Sequence, residues 1–414
     1  MKSNRIIKYQ KEHMHGVNHT TLNPYGPGVV RIHLVPPRED VEEANGIKHQ
    51  PSAVILNGKD ILPINISWAI LLNEFIHQLN STAGYGTELT SEELKSIVNA
   101  TVSEVKKVFP FTSKNRLRRD LLRIVNTLCD VAYGKEPREK IGYMNIGEYA
   151  PFMKAPHRMD LMVSAMTQNG KWHCNQKCLH CYAAGQKLAE TEELTTEEWK
   201  KAIDKCREIG IPQLTFTGGE PTMRQDLVEL VDYAQWFVTR LNTNGIRLTP
   251  ELCKALYEAS LDSVQVTLYS YNADIHNQLV GNTTHAKTVE GIQNALVAGL
   301  NLSINTPLCT INKDYVKTLQ FAHDLGITYV TCSGLIITGN AKRNASQETQ
   351  LSSEELYAIL KEAKAYCDEN HMQISFTSPG WIEEEKITAL SLAAPTCGAC
   401  LSNIDRKITR LYSS

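Results

Sequence analysis

The sequence has no long apolar run and almost no net charge. No segment reaches the roughly 18 consecutive apolar residues that a membrane-spanning helix needs, and residues 1–16 lack the apolar core of a secretory signal. With 43 Lys and Arg against 45 Asp and Glu, the formal net charge of −2 creates no strong field for nucleic acid or an anionic membrane. We therefore expect a cytoplasmic protein that binds neither.

The absence of a secretion signal also argues against disulfide bonds. The chain has 11 cysteines, an odd number, in 414 residues, whereas disulfide frameworks are typical of short secreted chains. Its composition, 42% apolar and 21% charged, is that of an ordinary globular protein, and its length suggests about two or three domains. Reduced thiols and a metal site are the better account of the cysteines.

Three cysteines lie in one short CxxxCxxC segment, at Cys174, Cys178 and Cys181. A 4Fe-4S cluster normally takes four cysteine ligands, so a compact set of three leaves one iron open for a small molecule. Closely spaced cysteines also suit tetrahedral zinc, for which His173 or His180 would supply the fourth ligand. On spacing alone, both sites remain open.

A second motif follows at Gly218, Gly219 and Glu220. It comes directly after the β-branched and apolar run 214–217, which is typical of a strand. Two glycines at the end of a strand indicate a loop whose backbone approaches a ligand closely, and the glutamate adds a charge. A zinc protein has no need of such a loop.

The two motifs together, in this order, resemble those of the radical S-adenosylmethionine (SAM) enzymes. The resemblance implies that the three cysteines hold a 4Fe-4S cluster whose open iron is chelated by the methionine part of SAM. It also implies that Glu220 and the backbone beside it hold the methionine ammonium. An electron from an external one-electron reductant would then cleave SAM to a 5'-deoxyadenosyl radical.

Other segments resemble the family's nucleoside-binding strands. The run 263–270 alternates apolar and polar residues and then enters a polar loop, as expected of a strand whose end faces a site. The alternative for each side chain is a barrel strand without ligand contact. The resemblance implies ribose contacts at Gln265, Thr267 and Ser270, a weaker one at Asn305, adenine against the backbone near Gly334, and Tyr182 as a wall of the pocket.

Strand-like runs alternate with amphipathic helices between residues 159 and 345. This alternation predicts an α/β fold with a parallel sheet, and the resemblance implies its specific form, a partial (β/α)6 TIM-like barrel. The motifs fall just after strands, where barrel enzymes place their sites. The strand segments are 161–165, 214–217, 239–243, 264–269, 302–306 and 328–332.

A small α+β domain precedes the barrel at residues 29–132. Asn57-Gly58 between apolar runs predicts a hairpin, and three helices follow. This pattern resembles the winged-helix, PqqD-like domain of radical SAM maturases, where a peptide adds as a strand to the hairpin edge. A DNA-binding winged helix, with a basic third helix over 114–132, and a purely structural cap are the alternatives. Residues 1–28 form an N-terminal arm and 133–158 a linker rich in Gly and Pro.

The C-terminal segment, 346–414, is expected to hold a helix and a strand. Cys397 and Cys400 form a CxxC that resembles the start of the SPASM extension, which binds auxiliary clusters. The further cysteines of that extension do not follow, so we interpret it as truncated, and the pair either binds metal or is unliganded. The other cysteines pack as small apolar residues: Cys129, Cys206, Cys253, Cys309, Cys332 and Cys367.

These features favour a radical SAM enzyme that abstracts hydrogen from a ribosomally made peptide. The product would be a thioether, a carbon–carbon crosslink or an epimerised residue. A cofactor-biosynthesis enzyme acting on a small molecule is the alternative within the family. The alternative of another class is a zinc- or cluster-binding regulatory protein with a DNA-binding winged helix. The sequence identifies no catalytic side chain.

Overall fold

The computed structural model describes residues 2–23, 28–37, 41–43, 46–83, 87–149, 153, 155–169, 171–185, 192–343, 349–376, 382–383, 386 and 389–390. The chain divides into two units. The first takes the described residues within Met1–Met159, Lys201–Gln213 and Ala234–Val238, and the second takes the others. Among the described residues, no helix is long and apolar enough to cross a membrane.

The N-terminal segment of the first unit, up to Tyr149, is an antiparallel sheet with helices on one face. The strands are β1 (Asn18–Leu22), β2 (Val30–Val35), β3 (Val41–Glu43), β4 (Gly46–Lys48), β5 (Ser52–Leu56) and β6 (Asp60–Ile64). The helices are α1 (Lys2–His13), α2 (Ile66–Thr82), α3 (Ser91–Val108), α4 (Lys114–Ala132) and α5 (Ile146–Tyr149). The main sheet has the order β1-β2-β5-β6, and β3 pairs with β4 separately.

Local sequence explains these elements. Val30, Ile32 and Leu34 alternate along β2 and pack into the core shared with α2–α4, as period-two apolar residues should. The Asn57-Gly58 turn has φ of 50° and 62°, the conformation that a tight hairpin requires. The hairpin and the three helices predicted from the sequence are therefore present.

The remaining elements are strands that alternate with helices. The strands are β7 (Arg158–Ser164), β8 (Thr167–Gln168), β9 (Lys171–Trp172), β10 (Gln213–Gly218), β11 (Val238–Thr243), β12 (Ser263–Thr267), β13 (Asn301–Pro307), β14 (Tyr329–Ser333) and β15 (Gln373–Phe376). The helices are α6 (Thr196–Ile209), α7 (Leu227–Tyr233), α8 (Pro250–Glu258), α9 (Ala273–Val280), α10 (His285–Val297), α11 (Tyr315–Asp324), α12 (Gly339–Arg343) and α13 (Ser353–Glu369).

Seven of these strands form one sheet in the order β15-β14-β13-β12-β11-β10-β7. The pairs from β11 to β15 are parallel. The predicted α/β fold with a parallel sheet, consistent with a partial TIM-like barrel, is confirmed. The six predicted strand segments fall on β7 and β10–β14, and β15 extends the sheet beyond them. Because parallel strands end at one edge, the loops after β10, β11, β12 and β14 lie at the same edge of the sheet.

Two expectations stay predictions: the domain boundaries and the winged-helix character of residues 29–132. The arm, residues 1–28, contributes α1 and the edge strand β1, neither of which the sequence indicated. The CxxC pair Cys397 and Cys400 lies outside the described residues.

Candidate active site

The three motif cysteines lie on a loop, residues 173–182, that we call the cysteine loop. One side of it bonds the end of α9: the amide nitrogens of Lys177 and Leu179 donate to the carbonyl oxygens of Val280 (3.0 Å) and Leu279 (2.8 Å). The last carbonyls of a helix have no partner within it, so the loop satisfies two of them. The helix thereby fixes the middle of the loop.

The segment after β14 holds the other side of the cysteine loop. The backbone nitrogen of Asn340 donates to the carbonyl oxygen of Cys181 at 2.8 Å, and its side-chain Nδ2 donates to that of Cys178 at 3.2 Å. Thr338 Oγ1 donates to the carbonyl oxygen of Tyr182 at 3.1 Å. Gly339 lies between Thr338 and Asn340 in the sequence, and a Cβ on Gly339 would overlap the carbonyl oxygens of Cys181 and Tyr182. Only glycine allows this close approach.

The three thiols occupy a half-buried environment. Burial raises the pKa of Cys174 to about 12, helped by the nearby Glu220 carboxylate. Burial and the neighbouring thiols raise the pKa of Cys178, and burial raises that of Cys181, although backbone hydrogen bonds oppose it. Thiolates at these positions therefore need a cation to stabilise them, and metal coordination supplies one.

The arrangement of the ligands distinguishes zinc from an iron–sulfur cluster. Within the described residues, no group of three or more His, Cys, Asp or Glu side chains is placed to hold a single metal ion. Zinc needs four ligands around one point, whereas a 4Fe-4S cluster bonds each cysteine to a different iron. The histidines also have other neighbours: His180 Nε2 lies 3.0 Å from Thr349 Oγ1, and His173 Nε2 lies 3.8 Å from Glu193 Oε1.

The two motifs meet at Gly219. The Sγ of Cys174 lies 3.3 Å from the carbonyl oxygen of Gly219, and the Gly219 nitrogen donates to the carbonyl oxygen of Ser164 at 2.8 Å. Gly218 has a φ of 136°, and a Cβ there would overlap the Ser164 backbone. Close backbone packing against the end of β7 thus explains both glycines, whereas the predicted close approach of this loop to a ligand stays a prediction.

Glu220 is 1% exposed and strongly hydrogen-bonded. Its Oε1 accepts from the Thr222 nitrogen (3.1 Å), Thr222 Oγ1 (2.5 Å) and Thr243 Oγ1 (2.6 Å), whereas Oε2 accepts from the Asn244 nitrogen (2.8 Å). Burial raises the pKa of this carboxyl, and these hydrogen bonds oppose the rise. A carboxylate oxygen can accept more than one hydrogen bond, and Oε2 accepts one against three on Oε1, so Oε2 retains room for a further donor such as an ammonium.

Three of the polar residues singled out on the sheet are neighbours. Gln265 Nε2 donates to Thr331 Oγ1 at 3.1 Å, and that oxygen lies 2.9 Å from Asn305 Oδ1. Thr267 stands directly beside Asn305 in the register of β12 and β13. Thr331 was not identified from the sequence, and it links the amides of adjacent strands.

The other candidates make different contacts. The hydroxyl of Ser270 accepts from the Asn272 nitrogen at 3.1 Å and so shapes the loop after β12. Tyr182 is 47% exposed, and its carbonyl oxygen accepts from Thr338 Oγ1. Gly334 lines a small pocket with Leu308, Leu335, Gln350, Leu351, Ser353 and Leu356.

Two residues that hold the site together were missed. Asn244, directly after β11, and Asn340, in α12, each bond the cysteine loop. The only signal in the sequence is their place: Asn244 directly follows the predicted strand 239–243, and Asn340 follows the Gly334–Gly339 stretch. Single asparagines are common in loops, so position alone does not distinguish them.

Comparison with known proteins agrees with this geometry. Residues 173–322 match the model of the Radical SAM superfamily. These residues form a radical SAM domain. Proteins of this superfamily use a 4Fe-4S cluster and SAM, so the radical SAM domain accounts for both motifs at once.

Individual proteins are similar to a little under half of this chain. An AdoMet-dependent heme synthase of Methanosarcina barkeri is 32% identical over 200 residues, 46% of this chain and 57% of that protein. A PqqA peptide cyclase of Bradyrhizobium diazoefficiens is 30% identical over 197 residues, 46% of this chain and 52% of that protein. The chain thus spans little more than half the length of these relatives.

The fold likeness reaches further along the chain. The structure of SuiB from Streptococcus suis bound to S-adenosylmethionine aligns with a TM-score of 0.51, covering 82% of this chain and 71% of SuiB. The two sequences are 12% identical. At this identity the likeness is one of fold.

Proposed function

We propose that this chain is a radical SAM enzyme in which Cys174, Cys178 and Cys181 hold a 4Fe-4S cluster and Glu220 binds the methionine part of SAM. The contact between the two motifs carries the proposal, because Cys174 Sγ lies 3.3 Å from the carbonyl oxygen of Gly219, next to Glu220. A donor that bonds Glu220 would therefore lie beside the cysteine loop.

The donor set fits this pair of cofactors. Three thiols on one loop leave an iron of the cluster open, and Glu220 Oε2 has room for an ammonium. When bound, the cluster and SAM supply a 5'-deoxyadenosyl radical that takes hydrogen from the substrate. The chain's own residues would bind and orient these groups and exclude water from them. At the methionine end, Glu220 and Thr222 are buried, which keeps water away from that end of SAM.

The remaining site residues have proposed roles at the nucleoside end of SAM. Gln265, Thr267 and Asn305 would contact the ribose, together with Ser270. Backbone near Gly334 would cover the adenine, and Tyr182 would form a wall. The polar group of Gln265, Thr331 and Asn305 supports the ribose assignment, since it supplies amides and a hydroxyl on adjacent strands. An external reductant would deliver the electron.

A ribosomally made peptide is the substrate we propose. SuiB has been crystallised with its precursor peptide SuiA, and that structure aligns with a TM-score of 0.52. The relative from Bradyrhizobium is a peptide cyclase. The modification would be a thioether, a carbon–carbon crosslink or an epimerisation. A small-molecule substrate is the second candidate, which the 32% identity to the heme synthase favours.

The peptide would bind the antiparallel sheet of the first unit by strand addition. The hairpin strand at the edge of that sheet is β6. On its outer side, the described residues pair with β6 only where the Met144 nitrogen donates to the carbonyl oxygen of Ile61 at 2.8 Å. Pro63 has no N–H to donate to an added strand, so Ile61 would supply the hydrogen bonds of this edge. At Ile61, the peptide would take the place of Met144.

The test of the enzyme is anaerobic iron–sulfur reconstitution of the wild type and of a Cys174→Ala/Cys178→Ala/Cys181→Ala variant. After addition of dithionite and SAM, we expect about four irons per wild-type chain and release of 5'-deoxyadenosine, and neither from the variant. A wild type that retains zinc and leaves SAM intact would favour the regulatory alternative instead.

The peptide is tested separately by hydrogen exchange of the full reconstituted chain. A short peptide encoded beside the gene should slow exchange at the Ile61 amide and speed it at the Met144 amide. Unchanged exchange at both positions, with SAM cleavage intact, would remove the peptide proposal and leave the enzyme proposal standing.

A further inference from the structure

Asn244 bonds both halves of the candidate site. Its side-chain Nδ2 donates to Asn175 Oδ1 at 2.6 Å, and its backbone nitrogen donates to Glu220 Oε2 at 2.8 Å. Asn175 directly follows Cys174 in the cysteine loop. One residue at the end of β11 therefore connects the first cysteine to the carboxylate proposed to bind SAM.

The surroundings of Asn244 hold it in a single orientation. Its Oδ1 accepts from the Ile246 nitrogen at 3.1 Å, and its carbonyl oxygen accepts from Thr288 Oγ1 at 3.0 Å. The residue is 8% exposed, and Gly245 after it has a φ of 79°. All four polar groups of Asn244 are thus used, which is the arrangement that gives a buried polar side chain a defined position.

The bond to Asn175 is not what keeps the cysteine loop folded. Lys177 and Leu179 bond α9, and Asn340 bonds the carbonyls of Cys178 and Cys181. These anchors act on the middle and the end of the loop, and Asn282 Nδ2, which donates to the carbonyl oxygen of Asn175 at 3.0 Å, acts at its beginning. The link from Asn244 instead connects Asn175 to the residue that bonds Glu220.

We propose that Asn244 is a positioning residue that sets the separation between Cys174 and Glu220, so that SAM held at Glu220 meets the open iron in register. The inference rests on the proposed function. SAM is bound at two points, and a misplacement of about 1 Å between two such points costs about a hundredfold in rate. The hydrogen bond between the side-chain amides of Asn244 and Asn175 therefore affects SAM binding more than it affects folding.

The experiment compares Asn244→Ala, Asn175→Ala and the double variant with Asn294→Ala. Asn294 is the matched control, since its Nδ2 donates to the carbonyl oxygen of Leu248 at 2.9 Å, a hydrogen bond that involves neither the cysteine loop nor Glu220. The bond to Glu220 survives in Asn244→Ala because it comes from the backbone. Asn175→Ala removes the hydrogen bond between the two side-chain amides but leaves the bond from the Ile246 nitrogen to Asn244 Oδ1 intact.

For each reconstituted variant we would measure iron content, the melting temperature, the SAM dissociation constant and the SAM-induced change in the electron paramagnetic resonance spectrum of the reduced cluster. Both single variants should weaken SAM binding about tenfold and slow 5'-deoxyadenosine formation about a hundredfold. Iron content and melting temperature should match those of Asn294→Ala. The double variant should bind SAM no more weakly than Asn244→Ala, because both changes remove one bond.

Two results would overturn the inference. The first is that Asn244→Ala binds SAM as tightly as Asn294→Ala does. The second is that Asn244→Ala loses iron or melts at a much lower temperature, since the bond would then stabilise the fold of the cysteine loop rather than set the position of Cys174. Failure of the proposed function looks different, because the wild type itself would then take up no cluster or bind no SAM.

Discussion

Gly339 lies against the carbonyl oxygens of Cys181 and Tyr182 so closely that a Cβ would overlap both. Its φ of 56° is also one that residues other than glycine adopt only at a cost of about 1–2 kcal/mol. We expect Gly339→Ala to push the cysteine loop away from α12 and so to lower the iron content after reconstitution. Iron content and the melting temperature of the apoprotein measure the effect.

The matched control for this change is Gly134→Ala. Gly134 has a φ of 67°, but a Cβ there would meet no atom within 4 Å. It therefore suffers the backbone cost without a clash. Equal iron uptake by the two variants would show that the contact of Gly339 with the cysteine loop does not matter for cluster binding.

Glu220→Gln tests the carboxylate. The substitution keeps the shape of the side chain but removes its charge. It also places an NH2 group against groups that themselves donate, namely Thr222, Thr243 and the Asn244 nitrogen. We expect SAM affinity to fall about 10- to 100-fold, the range for a lost hydrogen bond to a charged group. Isothermal titration with the reconstituted protein gives the dissociation constant. Glu229→Gln is the control, because Glu229 is 56% exposed and pairs with Lys200; an equal loss in both variants would contradict the assignment.

Arg224 and Asp226, which follow Glu220 in the sequence, form an ion pair. Arg224 Nη2 donates to Asp226 Oδ2 at 2.6 Å, and Arg224 Nη1 also donates to the carbonyl oxygen of Val163 at 2.9 Å. Desolvation works against ionisation of Asp226, but hydrogen bonds from Arg224 and Thr196 outweigh it and lower the pKa. Because the folded pKa is below the unfolded one, this pair stabilises the fold above pH of about 4, and the stabilisation is lost as pH falls further.

Asp226→Asn should therefore destabilise the apoprotein at pH 7 by about 1–2 kcal/mol, since the buried Arg224 guanidinium loses one carboxylate partner and keeps the other, Glu193 at 3.3 Å. The difference from wild type should shrink when pH falls through the pKa of the folded carboxyl. Melting temperatures at pH 7, 4 and 3 measure both effects. A constant difference across this range would show that ionisation of Asp226 does not contribute.

The sequence predicted the parts of this protein that depend on local pattern. The cysteine spacing, the GGE motif and the alternating strands each occupy a short segment, so their residues could be identified one motif at a time. Asn244 could not, because its role arises from contacts with Asn175 and Glu220, which lie distant in sequence. The helix α1 was also missed, since its few apolar residues lie among charged ones and its position depends on a hydrogen bond from Tyr9 to Glu74 at 2.9 Å.

His33 gives the first unit a dependence on acid that the sequence did not indicate. Its side chain is 2% exposed on β2, with its ring 5.6 Å from that of His19 and near Arg31. Burial first, and then the neighbouring His19 and Arg31, hold the pKa of His33 well below its ordinary value. The unfolded chain binds a proton there below pH of about 6.5 and the folded chain does not, so acid favours unfolding.

One such histidine costs about 2 kcal/mol of folding free energy at pH 5 relative to pH 8. His33→Phe removes the proton-binding group while keeping a buried ring, so the fall in melting temperature of the first unit between pH 8 and pH 5 should become smaller. His77→Phe is the control, because His77 is exposed on α2. An unchanged pH dependence in His33→Phe would mean that other groups cause the acid sensitivity. His19 is the next group to test, since burial and Arg207 lower its pKa to about 4 and its ring stacks on His33.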